Sequence, residues 1–193
     1  MATIVKKVGG FTLYDDGRFK LTGVVLAYPT LIKPKAILEN PKPKYSVSIL
    51  LDKEKHKDEI DALKDHIKKA CTDRKIGKLP SDKVCLRDGE DLGNEAYEPY
   101  YRLTASANDG YAPVLRILGE KKDRREDADE LEEVCVSGAK ASVLCSLYLQ
   151  DNQYGKRANA NIIAVNFLDE TVDIELGGGA GDDDEMWEDD DDL

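Results

Sequence analysis

Two long runs of strand-type residues, 134–150 and 158–168, are separated only by the polar septet DNQYGKR (151–157). Runs rich in valine, isoleucine and aromatic residues, bounded by turn formers, read as strands, and a short polar connection folds the second back on the first. The same pattern marks 19–28 (FKLTGVVLAY) and 45–51 (YSVSILL), where Tyr45, Val47, Ile49 and Leu51 alternate with Ser46, Ser48 and Leu50. Between these two runs Pro29, Pro34, Pro41 and Pro43 remove backbone donors, so 28–44 reads as a long loop.

Only one stretch has clear helical spacing. Ile60, Leu63, Ile67, Ala70 and Cys71 recur on one face of 53–73, with Asp52 available as an N-cap and mixed charge on the other face. Residues 77–99 are turn-rich. Strand patterns at 100–107 and 113–118 flank Asn108-Asp109-Gly110, a strong hairpin signal. Twelve of the fourteen residues in 120–133 are charged, all but Ala128 and Leu131, which suits an exposed loop with some helix. There is no internal repeat. A strand-rich chain with one amphipathic helix is expected to be mainly β, an OB-fold-like small β-barrel with that helix on its flank.

The ending GGGAGDDDEMWEDDDDL divides the chain in two. Residues 177–181 are four glycines and one alanine, a hinge with no side chain to pack. Nine of the twelve residues that follow are acidic, a run that repels itself too strongly to collapse. A domain over 1–176 and a disordered hinge and acidic tail over 177–193 are therefore expected. The net charge of −11 belongs mostly to the tail: with its nine acids set apart, 28 basic residues face 30 acidic ones. The body can carry basic patches, and low pI does not exclude a nucleic-acid partner. A tail serving only solubility gains nothing from apolar side chains, so Trp187 and Leu193, beside Asp189, Asp190, Asp191 and Asp192, are candidates for binding a protein partner.

Catalysis finds little support. His56 and His66 are the only histidines, ten residues apart and read as solvated, and the densest acids lie where nothing fixes a metal's geometry. The glycines at 177–181 do not lead from a strand into a helix, so they form no phosphate loop. Cys71, Cys85, Cys135 and Cys145 contain no C-x-x-C pair and fit small apolar roles in a reducing cytoplasm. No signal peptide or membrane span is visible. No catalytic residue, metal ligand or cofactor is expected.

Binding is better represented. Lys33, Lys35, Lys42 and Lys44 face only Glu39 in the 28–45 segment, a local charge of +3 with a tyrosine at each end, Tyr45 among them. Tyr154, Lys156 and Arg157 place an aromatic beside two cations in the 151–157 turn, the combination that stacks on bases while tracking phosphates. Tyr97, Tyr100 and Tyr101 with Arg102 form a third group, with one or two of these tyrosines expected in the core. In OB-folds the loops joining the first two and the last two strands flank the oligonucleotide groove.

The stretches GVVLAYPTLIKPKA and KYSVSILLDK, the charged helix, and SLYLQDNQYGKRANANIIAVNFL together resemble a family of phage single-stranded DNA-binding proteins with an OB-fold core and an acidic tail. The similarity covers most of 17–168 and returns in the tail. It implies sequence-independent binding of single-stranded DNA in phage replication, recombination and repair, in the host cytoplasm, without cofactor or catalysis. It also implies a tail that recruits polymerase, helicase-primase or nuclease, and the tail's own negative charge, drawn to the cationic loops, leads to the expectation that it competes with DNA. In related proteins the tail ends in an aromatic residue, whereas this chain ends in Leu193 with Trp187 set inside. Homo-oligomerisation stays open. The alternative is an acidic DNA mimic or assembly chaperone, for which four lysines on one loop have no use.

Overall fold

The computed structural model describes residues 2–37, 40–125, 127–174 and 176. The hinge and tail at 177–193, with Trp187, Asp189 to Asp192 and Leu193, lie outside the described residues.

The architecture is mainly β, with a closed five-stranded OB-like barrel at its centre. Among the described residues nine strands occur in the order β1 (Ile4–Val8), β2 (Phe11–Tyr14), β3 (Arg18–Ile37), β4 (Asn40–Asp52), β5 (Leu86–Asp88), β6 (Tyr100–Asn108), β7 (Val114–Ile117), β8 (Ala139–Asn152) and β9 (Gly155–Thr171). Helix α1 (Lys57–Asp73) follows β4, and the seven-residue α2 (Ala128–Val134) follows β7. The barrel closes through β3–β4, β4–β6, β6–β9, β9–β8 and β8–β3, all antiparallel except β6–β9. One strand, β3, must pair on both sides and also bend, and a register shift between Leu21 and Val24, with Gly23 at φ 71°, supplies the bulge.

Alternation within each strand separates core from surface. On β6, Leu103, Ala105 and Ala107 are buried, while Arg102, Thr104, Ser106 and Asn108 point outward. On β8, Ala139, Ala141, Val143 and Cys145 enter the core, and on β9 Ala158, Ala160, Ile162, Val165 and Phe167 do. Helix α1 adds Ile60, Leu63, Ile67 and Cys71 to this core.

Several local expectations change. The 28–44 segment is no loop: β3 and β4 run on past the barrel as a two-stranded ribbon, with Thr30 opposite Ser46 and Lys35 opposite Lys44. Its prolines are tolerated because the pairing there is interrupted by repeated register shifts, which leave positions without a ladder bond. The Asn108–Gly110 turn forms, with Tyr111 N–H donating to Asn108 O at 3.0 Å, but β6 and β7 do not pair. Instead β7 adds in parallel to β9, so a sound turn signal named the wrong partner. The turn at 151–157 shrinks to Gln153 and Tyr154, because Asp151 pairs with Lys156 and Asn152 with Gly155 (φ 103°). Asp52 does not cap α1; its carboxylate accepts from the amides of Glu54 and Lys55, and the helix starts after His56. His66 is half-buried with its ring edge-on to Phe19 at 5.7 Å, not solvated. The hairpin β1–β2 had no counterpart in the strand reading.

The charged 120–133 segment has a structural task. Arg125 donates from Nη1 to Leu31 O and Ile32 O at 3.0 and 2.8 Å, and from Nη2 to Pro113 O. Its guanidinium lies 5.2 Å from the centre of the Tyr45 ring. Arg124 beside it binds Glu120, Asp127 and Glu130, and Leu131 of α2 is buried. The segment is a clasp that grips the ribbon at its base.

Candidate nucleic-acid interface

The outward faces of β6, β8 and β9 form the floor of a groove of about 1750 Å³. Register explains why these side chains meet. Ser146, Tyr148 and Gln150 of β8 stand opposite Asn161, Asn159 and Arg157 of β9, and Ser106 of β6 pairs with Asn161 on the other side. The floor is therefore hydroxyls and amides, groups that donate to or accept from any base edge without fixed charge.

Cations surround this floor. Among the described residues Lys42, Lys44, Lys83, Arg87, Arg102 and Arg157 line the groove against one carboxylate, Asp82, which pairs with Lys83 at 3.2 Å. Two of these arginines are placed against electrostatic preference. Arg87 and Arg102 are direct cross-strand partners in β5 and β6, and the Nε of each is buried without a hydrogen-bond partner among the described residues. Like charges directly opposite are destabilising in a sheet, and unpaired buried donors add to the cost. An anion held by the two guanidinium groups offsets the like-charge penalty, and a phosphate matches their fork geometry. Lys35 opposite Lys44 repeats the arrangement on the ribbon.

Aromatic side chains complete the groove. Tyr111, Tyr148 and Tyr154 line it and are 76%, 52% and 78% exposed, a state that leaves one ring face of each open. Cys85 also reaches the groove wall, but burial pushes its thiol up to about 12, so it contributes shape and not a nucleophile. Among the described residues no group of histidine, cysteine, aspartate or glutamate could hold a metal ion. Nor is any described helix long and apolar enough to cross a membrane.

The residues singled out in the sequence divide into three groups. Lys42, Lys44, Arg102, Tyr154 and Arg157 come together in the groove. Lys33 and Lys35 are exposed on the ribbon outside its lining, and Lys156 is exposed with Asp151 as its ion-pair partner at 3.7 Å. The third group is structural. Tyr45 is 7% exposed beneath Arg125. Tyr101 accepts from Lys64 Nζ at 2.8 Å against α1, and Tyr100 packs in a second apolar cluster with Ala27, Leu50, Tyr97 and Leu176. Sequence reasoning missed Arg87, Lys83, Tyr111 and Tyr148. For Tyr148 a signal existed, since it occupies an outward position of an alternating strand; Arg87 lies in the irregular 77–99 stretch and becomes visible only through register.

Comparison with known proteins identifies the fold and the family. Among solved structures, the single-stranded DNA-binding protein from bacteriophage Enc34 matches with a TM-score of 0.80 at 25% identity, over 97% of this chain and 99% of that one. The same phage protein in complex with ssDNA matches with a TM-score of 0.77 at 25% identity, over 91% of this chain and 98% of that one. Its C-terminal truncation matches with a TM-score of 0.72 at 26% identity, over 89% and 98%. No curated protein sequence matches. The family model described as "Enterobacter phage Enc34, ssDNA-binding protein" matches residues 18–193. The match starts at the first residue of β3 and takes in the whole barrel, and the chain belongs to this family of phage single-stranded DNA-binding proteins.

Proposed function

We propose that the chain binds single-stranded DNA without regard to sequence, in the groove between the ribbon and the β8–β9 turn. The observation that carries this is the opposed Arg87–Arg102 pair at a groove lined by three exposed tyrosines. The arginines and lysines take phosphates and the tyrosines stack on bases, each stacked base contributing roughly 1–3 kcal/mol. Every base has a π-face, so the mode discriminates little between sequences. Family and structural neighbours are binding proteins and not enzymes. Occupancy is the mechanism: a covered strand can neither reanneal nor fold on itself, which suits phage DNA replication, recombination and repair.

The proposal extends to the division of labour along the chain, a binding domain over 1–176 and a tail over 177–193 that competes with DNA and recruits polymerase, helicase-primase or nuclease. Its support is the point of departure. Tyr28 O–H donates to Leu176 O at 2.9 Å, Leu176 packs with Tyr97, and Arg102 of the groove lies 5.6 Å from the centre of the Tyr97 ring. Leu176 thus shares a cluster with the tyrosine on whose ring a groove arginine lies, which favours a tail that starts near the groove.

A labelled oligothymidylate and a duplex of equal length, titrated with the full chain at several salt concentrations, test the central claim. Binding of the single strand well above the duplex, with affinity falling as salt rises, is expected. Equal binding of the two, or none, overturns it, and the acidic-mimic reading then gains.

A further inference from the structure

The outward face of the β8–β9 pair continues past the groove. Ser146, Tyr148 and Gln150 line the groove, and earlier on the same face of β8, Ser142 and Leu144 line a second cleft of about 320 Å³. On β9 the register shift leaves Ile163 as an extra residue, which brings Ala164 and Asn166 to the face shared with Asn159 and Asn161. Strand β7 spans both sites: Val114 lines the groove, Arg116 lines the cleft, and Leu115 between them is in the core. Ser142 is four residues from Ser146, about 13 Å at about 3.3 Å per residue. The cleft is the next stop on the groove's own path.

Its chemistry matches the groove's. Lys20 of β3 and Arg116 flank it with Tyr14, and among the described residues no carboxylate lines it. Among the described residues neither cation has an ion pair, whereas Lys6, Arg18, Lys53, Lys69, Arg124 and Lys140 all do. Arg116 Nε is buried without a hydrogen-bond partner, the state shared by Arg87 and Arg102. Leu118, beside the cleft-lining Gly119, is exposed and holds φ 49°, a conformation that a branched side chain adopts only where its surroundings impose it.

We infer that a bound single strand runs on from the groove across β7 and β9 into this cleft, where Lys20 and Arg116 take phosphates of nucleotides lying beyond the groove. The inference rests on the reading of the groove as a single-strand site.

The full chain and its K20Q/R116Q variant are titrated with oligothymidylates of about 4 and about 16 nucleotides, the two ends of the usual range for one OB fold. The short strand is expected to bind both proteins equally, which also shows that the variant is folded. For the long strand, two lost phosphate contacts lower the log–log salt slope by about 1.4, equivalent to about a 25-fold loss at 0.1 M salt. Arg116→Lys, which keeps the charge, preserves the slope. Equal long-strand affinity of variant and parent overturns the inference, as does an equal loss on both lengths. Failure of the parent to bind either strand sinks the groove reading and this one with it.

Discussion

On the proposed reading of the groove, Arg87 and Arg102 show what a binding residue costs before its ligand arrives. Opposed like charges in a sheet are destabilising, so Arg87→Gln is expected to leave the DNA-free protein as stable as the parent or slightly more so. The same change lowers single-strand affinity and takes about 0.7 from the log–log salt slope. Thermal unfolding without DNA and binding across a salt series check the two halves, and a large drop in melting temperature would show the pair to be structural. Tyr154→Ala, on the exposed tip of the β8–β9 hairpin, should cost about 1–3 kcal/mol of binding with the slope kept, because it removes stacking and no charge. His66 gives a pH dependence. Burial against Phe19 lowers its pKa below the usual 6.5, so below that pH the unfolded chain takes up a proton that the folded one resists. Its contribution is full above pH 6.5 and falls as the pH drops toward the lowered folded value. Denaturant midpoints at pH 7.5 and 5.5 should differ more for the parent than for His66→Gln. At this scale the sequence was legible wherever charge and aromaticity cluster in a turn, as at Tyr154 and Arg157. It was silent on Arg87, whose significance depends on a partner fifteen positions away, and it misjudged Tyr45, whose place under Arg125 no local pattern encodes.

Elements were legible where periodicity is long and unbroken, in α1, β8 and β9, and illegible where pairing is non-local. Four prolines made the ribbon read as loop, yet a two-stranded extension with shifted register needs no complete ladder. The hairpin signal after β6 was a true turn, but the strand that follows it joins β9 because β9 lies between them in the sheet. The 120–133 segment, dense in charge and without apolar spacing, gave no hint that Arg125 binds three backbone carbonyls. Those carbonyls belong to the ribbon base and to the chain entering β7, so the clasp sets the direction in which Lys42 and Lys44 are presented. Arg125→Ala leaves the carbonyls short of a partner, at about 1–3 kcal/mol for a buried polar group so abandoned. Faster hydrogen exchange at 30–35 and 42–46 is expected, with weaker DNA binding and a shallower salt slope, since mobile lysines hold phosphates less well. Unchanged exchange in the ribbon, with DNA binding intact, would leave the clasp without a role in binding.

At the scale of the whole molecule the charge is divided: a body close to neutral with a cationic groove, and a tail carrying nine of the 39 acids. The body ends at Leu176, fixed by its carbonyl to Tyr28 and by its side chain to the cluster containing Tyr97, on whose ring Arg102 lies. From there the five residues of the hinge span at most about 18 Å and the twelve beyond them about 40 Å. A chain starting near the groove needs little of that length to bring carboxylates into it. The attraction acts over about 8 Å at physiological ionic strength and weakens with added salt, so a tail competing as proposed does so best where DNA itself binds best. Ending the chain after Gly181 is therefore expected to tighten single-strand binding at low salt, with the truncated and full-length proteins converging as salt rises. Trp187 is the only tryptophan, and its emission reports the exchange without a label. A shift toward the solvent-exposed form should accompany saturation of the full chain with oligothymidylate and should be absent when the groove is disabled by R87Q/R102Q. Identical affinities of the two proteins at every salt, with Trp187 emission indifferent to DNA, would remove competition from the tail's proposed duties and leave it partner recruitment or solubility alone.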